Sequence, residues 1–276
     1  MKKFYQFIGI VSPFAIEVNT NPEKIISPPK LCEAVLIHIH GGGFISQSSS
    51  QHQVYLRKWS KNNNIPVIML AYTLSPEAEY PEALNDCWQS YLWIIENMKS
   101  WLGIAPKKVL ISGDSAGGNL ATSIVALSII KKVRIPDAIV MCYPALIFAE
   151  TIFTPSRINM WDDKILTSLM KECCQTAYWS DLVAEEHPFL SPFFLPNKVL
   201  SFFPTTRIVL AGIDPLHDDG YQFAYKLSKL NKDVELIDNK LLPHGFLNFG
   251  LAPLLGGECS KAINAISDLI GDIIKK

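Results

Sequence analysis

The sequence has no excess of charge of either sign and no basic cluster. Its 276 residues include 25 lysines and arginines and 26 aspartates and glutamates, mixed along the chain, which gives a formal net charge of −1. Surfaces that bind nucleic acids or anionic membranes are usually marked by basic patches. We therefore expect neither a nucleic-acid partner nor electrostatic attachment to a membrane.

Long hydrophobic runs are also missing. Every long apolar stretch is broken by polar residues or proline within the length of a membrane span, so no stable transmembrane helix is predicted. Lys2 and Lys3 precede a short apolar stretch that contains Gln6, ends at Pro13 and has no small-residue cleavage site. This pattern disfavours a secretory signal. We interpret residues 4–18 instead as the source of one or two strands of the domain.

Cysteines are few and scattered. None of the six lies in the CxxC spacing that is typical of structural zinc sites, so no metal is expected. Cys87 and Cys142 lie in apolar stretches and are expected to be buried thiols. Scattered thiols of this kind favour a reducing, cytoplasmic compartment.

The chain is rich in hydrophobic residues, at 49%, and poor in charged ones, at 18%, which indicates a globular protein. Its length fits a single domain over residues 1–276. Short runs rich in valine, isoleucine and leucine alternate with helical patterns, as buried parallel strands do. These runs are Ala34–His40, Pro66–Tyr72, Lys108–Ser112, Ala138–Tyr143, Arg207–Gly212 and Val234–Asp238. The pattern predicts an α/β fold with an open, mostly parallel sheet between two layers of helices.

Residues 145–205 differ from the rest of the chain. They contain five prolines, several aromatic residues and no clear strand pattern. We interpret them as an insertion that covers the carboxyl edge of the sheet as a cap, rather than as a separate domain.

The segment Gly113–Gly118 carries a G-x-S-x-G pattern between a predicted strand and a predicted helix. A tight strand-to-helix turn has no room for Cβ atoms two residues before and after its tip. Such a turn exposes Ser115 at its tip as a nucleophile, while the helix that begins at Ala116 directs its N–H groups towards developing negative charge. The alternative interpretation is a glycine-rich helix start with a capping serine.

The segment His40–Phe44 places three consecutive glycines directly after a predicted strand. Glycines allow backbone N–H groups to approach a ligand oxygen closely, as an oxyanion hole requires. Gly42 and Gly43 are the candidates, with the N–H of Ala116 as the third donor. His40 is expected to be a structural hydrogen-bonding residue. Alone, the motif would be interpreted as a flexible turn.

Asp214 follows a predicted strand and His244 lies in the loop after the last one. The order Ser115, Asp214, His244 is the chain order of nucleophile, acid and base in α/β-hydrolases. Asp218 and Asp219 lie close to Asp214, but we expect them to form a solvated helix start. The remaining histidines are weaker candidates for the base: His38, His52, His187 and His217.

Together these motifs resemble the hormone-sensitive lipase family of α/β-hydrolases, from about residue 34 to residue 249. The similar segments are His40–Phe44, Tyr72–Glu77 with Pro81, Gly113–Gly118, Asp214–Leu216 and His244–Phe246, and, with the lipase branch in particular, Thr154–Arg157, Pro188–Pro192 and Leu242–Leu247. The resemblance implies the α/β-hydrolase fold and cofactor-free hydrolysis of carboxylic esters. It also implies acylglycerols, cholesteryl esters or short-chain esters as substrates. A homodimer and association with lipid droplets stay open.

Two other functions stay open. Some proteins similar to this family are small-molecule receptors that keep the fold and lose the catalytic base, although His244 is present here. Others, similar to arylacetamide deacetylase, hydrolyse amides through the same tetrahedral chemistry. For the ester hydrolase, Trp161 and Trp179 of the predicted cap are expected to line the acyl pocket; the alternative is that they only pack against the sheet.

Overall fold

A computed structural model describes residues 8–16, 18–19, 28–179, 183–250 and 256–276. This part of the chain contains one seven-stranded sheet in the order β1-β3-β2-β4-β5-β6-β7. All neighbouring strands are parallel except β1, which runs antiparallel to β3. The strands are β1 (Ile8–Val11), β2 (Lys30–Ile39), β3 (Val67–Leu70), β4 (Ile104–Asp114), β5 (Ala138–Cys142), β6 (Thr205–Ile213) and β7 (Val234–Pro243).

The α/β fold class predicted from the sequence is confirmed. Each of the six predicted runs overlaps one strand from β2 to β7, and β1 lies within residues 4–18. The predicted bounds are least accurate in β4 and β7, which continue through polar residues. β7 forms one edge of the sheet, where Lys240 and Leu241 are exposed, so a polar or solvated stretch does not end the strand there. The first seven residues of the chain, which include part of the predicted strand region, lie outside the described residues.

Helices cover both faces of the sheet. They are α1 (Gln53–Asn63), α2 (Glu82–Asn97), α3 (Ala116–Lys131), α4 (Ser168–Tyr178), α5 (Asn197–Leu200), α6 (His217–Lys229) and α7 (Gly256–Lys275). Alternate residues of a strand point to opposite faces. Accordingly, Val35 and Ile37 pack with α2, α3 and α6, whereas Ala34 and Leu36 pack with α1 and α7.

The carboxyl ends of the parallel strands meet at one edge of the sheet, where open α/β sheets bind ligands. β2, β4, β6 and β7 each lead there into one of the segments that carry the candidate site residues. The described residues between β5 and β6 form short helices and no strand. We propose that this segment is the cap of a single domain. Its Tyr178 stacks on Phe44 beside the glycine motif, with the ring centroids 3.7 Å apart.

Candidate active site

Ser115 lies in the turn between β4 and α3. Its backbone angles, φ 52° and ψ −120°, are ones that residues other than glycine rarely adopt. The two flanking glycines are required by close backbone approaches. A Cβ atom on Gly113 would lie 2.2 Å from the carbonyl oxygen of Gly117, and a Cβ atom on Gly117 would lie 2.1 Å from that of Ile39. The Ser115 N–H donates to the Cys142 carbonyl at 3.0 Å, which fixes the turn against β5.

His244, in the turn after β7, joins Ser115 to Asp214. Its Nε2 lies 2.9 Å from Oγ of Ser115, and its Nδ1 lies 2.8 Å from Oδ2 of Asp214. Asp214 is fully buried, and its Oδ1 accepts the N–H of Leu216 at 2.8 Å. The structure therefore brings the three candidate residues from separate strand ends into one hydrogen-bonded chain.

The environment of His244 makes its imidazole more easily protonated than that of a free histidine. Burial lowers the pKa of the imidazole, but the charge and the hydrogen bond of Asp214 more than offset burial. The net result is a pKa above the ordinary value of 6.5. Tyr143 packs against the imidazole nearly edge-on, with the ring centroids 5.0 Å apart.

The glycine motif forms a tight turn after β2. Gly42 and Gly43 have φ values of +110° and +61°, and the Gly42 carbonyl accepts the N–H of Ser46 at 3.0 Å. Among the described residues, no oxygen accepts the N–H of Gly42 or Gly43. Ala116 is the first residue of α3, where helical N–H groups have no partner within the helix. These three N–H groups are therefore available to an anionic oxygen.

Two cavities meet at Ser115 and Gly43. The first has a volume of about 50 Å³ and an apolar lining that includes Ile147, Phe148 and Trp179. The second has a volume of about 460 Å³ and is bordered by His244. A small apolar space and a larger one thus share the nucleophile candidate Ser115 in their linings.

The two predicted cap tryptophans differ in position. Trp179 is buried and lines the small cavity, as expected. The expectation for Trp161 was wrong, because its side chain is 88% exposed and lines neither cavity. It ends a short 3-10 helix, in which the neighbouring Met160 is the residue that turns inward.

Comparison with known proteins decides the family. A family model described as the α/β hydrolase fold matches residues 36–248. Carboxylesterase NlhH of Mycobacterium tuberculosis is 30% identical over 235 residues, which cover 83% of this chain and 72% of that enzyme. Hormone-sensitive lipase of Bos taurus is 32% identical over 188 residues, or 68% of this chain. The chain belongs to the hormone-sensitive lipase family of α/β-hydrolases. It spans only about a quarter of the bovine lipase, since the match covers 24% of that protein.

Solved structures agree with this family. An esterase from the archaeon Pyrobaculum calidifontis aligns with a TM-score of 0.80 and 28% identity, covering 87% of this chain and 77% of that one. Carboxyl esterase 2 of Tuber melanosporum aligns with a TM-score of 0.80 and 26% identity, covering 87% and 77%.

None of the helices in the part of the chain that the structure describes combines the length and hydropathy needed to cross a bilayer.

The sequence patterns did not predict a buried cluster of polar side chains around Asp114. Oδ1 of this carboxylate accepts the N–H of Gly41 at 3.0 Å and the hydroxyl of Tyr55 at 3.2 Å. Nε2 of His52 lies 3.3 Å from the same oxygen, and Nε2 of His38 lies 3.0 Å from the Tyr55 hydroxyl. No local motif marks these two histidines. The signal that could have located the cluster was Asp114 itself, because a carboxylate at the end of a buried strand needs hydrogen-bonding or charged partners.

His40 has the structural role expected for it. Its Nδ1 lies 2.7 Å from the Gly41 carbonyl, and its ring stacks on Tyr72 with the centroids 4.3 Å apart. Burial lowers the pKa of His40 to about 4, so the imidazole is neutral at physiological pH. His40 therefore shapes the start of the glycine turn.

The interpretation of Asp218 and Asp219 as a solvated helix start was wrong for Asp219. This side chain is fully buried, 3.5 Å from Nη2 of Arg157, and burial raises the pKa of its carboxyl to about 7. Asp218 accepts the N–H of Ser156 at 2.9 Å. Both residues pack against a segment about 60 positions earlier in the chain, a contact that local sequence does not reveal. Asp214, rather than either neighbour, contacts His244.

Proposed function

We propose that this protein is a carboxylic-ester hydrolase in which Ser115 is the nucleophile, His244 the general base and Asp214 the residue that orients and stabilises it. The observation that carries the proposal is the hydrogen-bonded chain from Oγ of Ser115 through the His244 ring to Asp214. The family of the chain and the names of its relatives support the same reaction.

In the first half of the reaction, His244 Nε2 takes the Ser115 proton as Oγ attacks the ester carbonyl carbon. The carbonyl oxygen becomes an oxyanion and accepts hydrogen bonds from the N–H groups of Gly42, Gly43 and Ala116. The imidazolium, stabilised by Asp214, then donates its proton to the leaving alcohol oxygen as the carbon–oxygen bond breaks. An acyl ester on Ser115 remains.

In the second half, water takes the place of the alcohol. His244 removes a proton from the water as its oxygen attacks the acyl carbon, and the same three N–H groups bind the second oxyanion. The proton passes to Oγ of Ser115 as the acyl bond breaks. The carboxylic acid leaves and the free serine is restored. The chemistry needs no metal or organic cofactor.

The two cavities suggest which part of the ester lies where. The leaving alcohol takes its proton from His244, so we assign the alcohol to the larger cavity that His244 borders. The acyl group then occupies the apolar cavity of about 50 Å³. That cavity is small compared with the one beside His244, and its lining is apolar. Of the ester classes that the family resemblance implies, short-chain esters fit this site best.

We predict that turnover of p-nitrophenyl esters is highest for short acyl chains and decreases as the chain lengthens. Trp179→Ala is expected to shift the preferred chain length upwards, because removing a buried indole enlarges the acyl cavity. Trp161→Ala is the matched control, since it removes the same side chain from an exposed position. The measurement is kcat/KM across the acetate-to-decanoate series. Equal shifts in both variants, or none in Trp179→Ala, would contradict the assignment.

The pKa of His244 predicts the acid limb of the pH profile. Only neutral imidazole can take the serine proton, so kcat/KM must rise with pH as His244 loses its proton. Because its pKa is raised above 6.5, we expect the midpoint above pH 6.5. Asp214→Asn removes the charge that raises this pKa and should move the midpoint to lower pH, as measured by residual kcat/KM against pH. A midpoint that does not move in Asp214→Asn would exclude His244 as the titrating base.

The location of the protein and its association with itself or with lipid droplets are not tested by the structure. All six cysteines are free thiols, and those at positions 32, 87, 142 and 259 are buried, which supports a reducing, cytoplasmic compartment. Cys87 and Cys142 are thus the buried thiols expected from the sequence. Lipid-droplet association and homodimer formation stay predictions, which sedimentation and droplet flotation of the purified protein would test.

The experiment that tests the proposed function compares p-nitrophenyl acetate and butyrate hydrolysis by the wild type and Ser115→Ala. We expect turnover by the wild type that Ser115→Ala loses while keeping its folded circular-dichroism spectrum. Turnover of a p-nitroanilide in preference to the ester would favour an amide hydrolase. Binding of small molecules without turnover would favour a receptor.

A further inference from the structure

The turn that carries the candidate oxyanion donors, Gly41–Ser48, is attached at both ends to one pair of buried side chains. At its start, the N–H of Gly41 donates to Oδ1 of Asp114 at 3.0 Å. At its end, the carbonyl oxygen of Ser48 lies 3.1 Å from Nδ1 of His52. Nε2 of His52 lies 3.3 Å from Oδ1 of Asp114. These contacts close a ring around the turn, which we call the oxyanion turn.

The partners of His52 determine its protonation. A backbone carbonyl and a carboxylate can only accept hydrogen bonds. Nδ1 lies 3.1 Å from the Ser48 carbonyl oxygen, and Nε2 lies 3.3 Å from Oδ1 of Asp114 without forming a hydrogen bond, so the contact with the carboxylate is an ion pair that favours a proton on both ring nitrogens. Burial lowers the pKa of His52, but the charge of Asp114 outweighs burial and the net pKa is raised. The side chain is fully buried.

The other groups around Asp114 are neutral. Burial lowers the pKa of both His38 and His40, and Tyr55 contributes an uncharged hydroxyl. Among the described residues, no lysine or arginine forms an ion pair with this carboxylate. Asp114 is 3% exposed, and the charge of His52 holds its pKa well below the ordinary range although burial alone would raise it. His52 is therefore the counter-ion of the buried carboxylate that fixes the start of the oxyanion turn.

We propose that His52 is a positioning residue that acts through Asp114 to hold the N–H groups of Gly42 and Gly43 where the oxyanion forms. This inference rests on the proposed function. His52 lines neither cavity, so it reaches the reaction through Asp114 and the turn that Asp114 holds rather than by contact with the substrate. The turn needs such support, because both glycines have positive φ and their N–H groups have no acceptor among the described residues.

A displaced oxyanion donor weakens binding of the transition state more than binding of the ester. We therefore expect His52→Gln to lower kcat by about 10- to 100-fold with little change in KM. Affinity for a trifluoromethyl ketone, whose adduct on Ser115 carries an oxyanion, should decrease by a similar factor. Rates are expressed per active site titrated with a fluorophosphonate, which corrects for any unfolded fraction. His187→Gln, an exposed histidine of the proposed cap, is the matched control.

A double-mutant cycle tests whether His52 acts through Asp114. Asp114→Asn removes the charge that His52 balances, so the two substitutions should be strongly non-additive in kcat. Additive effects, or a decrease in His52→Gln that appears mainly in KM, would overturn the proposal. A wild type without ester turnover would instead contradict the proposed function. An active wild type with an unchanged His52→Gln variant would contradict the role of His52 alone.

A measurement on the wild type does not depend on how the variants fold. With ¹⁵N-labelled histidine, both ring nitrogens of His52 should have the chemical shifts of protonated nitrogen at pH 7. A neutral ring, with one nitrogen at the shift of an unprotonated imidazole, would overturn the proposal directly.

Discussion

Replacing His244 with alanine is expected to lower kcat/KM for p-nitrophenyl butyrate by about 10,000-fold or more. The reason is the position of its Nε2, 2.9 Å from Oγ of Ser115, where no other described base contacts the hydroxyl. Without the imidazole, the attacking serine must lose its proton to water, and the leaving alcohol has no acid. Steady-state kinetics with the short ester measures the loss.

Two further variants make this result specific. Asp214→Asn keeps the shape of the acid but removes its charge, and a loss of about 10,000-fold in kcat is expected because the imidazole no longer has the correct tautomer and stabilisation. His187→Ala removes an exposed histidine of the proposed cap and should leave kcat/KM unchanged. A decrease of less than tenfold in His244→Ala would mean that another residue is the base.

Replacing Gly117 with alanine is expected to reduce the free energy of unfolding by about 3 kcal/mol or more. The added Cβ would lie 2.1 Å from the Ile39 carbonyl oxygen and 2.6 Å from that of His40. Neither oxygen can move without shifting β2 and the glycine turn behind it. Urea unfolding followed by circular dichroism measures the difference in free energy of unfolding between the variant and the wild type. A variant that does not fold at all would also agree with the prediction.

Gly257→Ala is the matched control for this prediction. Gly257 lies in the first turn of α7, and a Cβ atom placed there meets no atom within 4 Å. Because alanine has a higher helix propensity than glycine, this variant should be as stable as the wild type or more stable by up to about 1 kcal/mol. A Gly117→Ala variant within about 0.5 kcal/mol of Gly257→Ala would show that the turn between β4 and α3 is less closely packed than described.

Much of the fold and of the candidate site follows from local patterns in the sequence. Buried parallel strands are short runs of branched apolar residues, so six of the seven strands could be located before the structure was known. Ser115, Asp214 and His244 could be chosen because each follows a strand and they occur in the order of the fold. Their hydrogen-bonded geometry could not be predicted, because it depends on the strand order. In that order β5 lies between β4 and β6, and β7 follows β6.

What the sequence did not reveal depends on contacts between distant segments. His52 and Asp114 are 62 positions apart and become partners only when the turn after β2 folds over the end of β4. Asp219 is buried next to Arg157, which belongs to the proposed cap. Trp161 and Trp179 have the same chemistry in the same segment, and only the three-dimensional packing distinguishes the exposed residue from the one in the cavity.

The most direct test of the central claim is the mass of the protein after reaction with a fluorophosphonate, followed by peptide mapping. If Ser115 is a nucleophile activated by His244, one phosphonyl group per chain will be found on the peptide that contains Gly113–Gly118. Ser115→Ala should remain unlabelled, and His244→Ala should be labelled very slowly. Labelling at another residue, or no labelling of folded wild-type protein, would contradict the account.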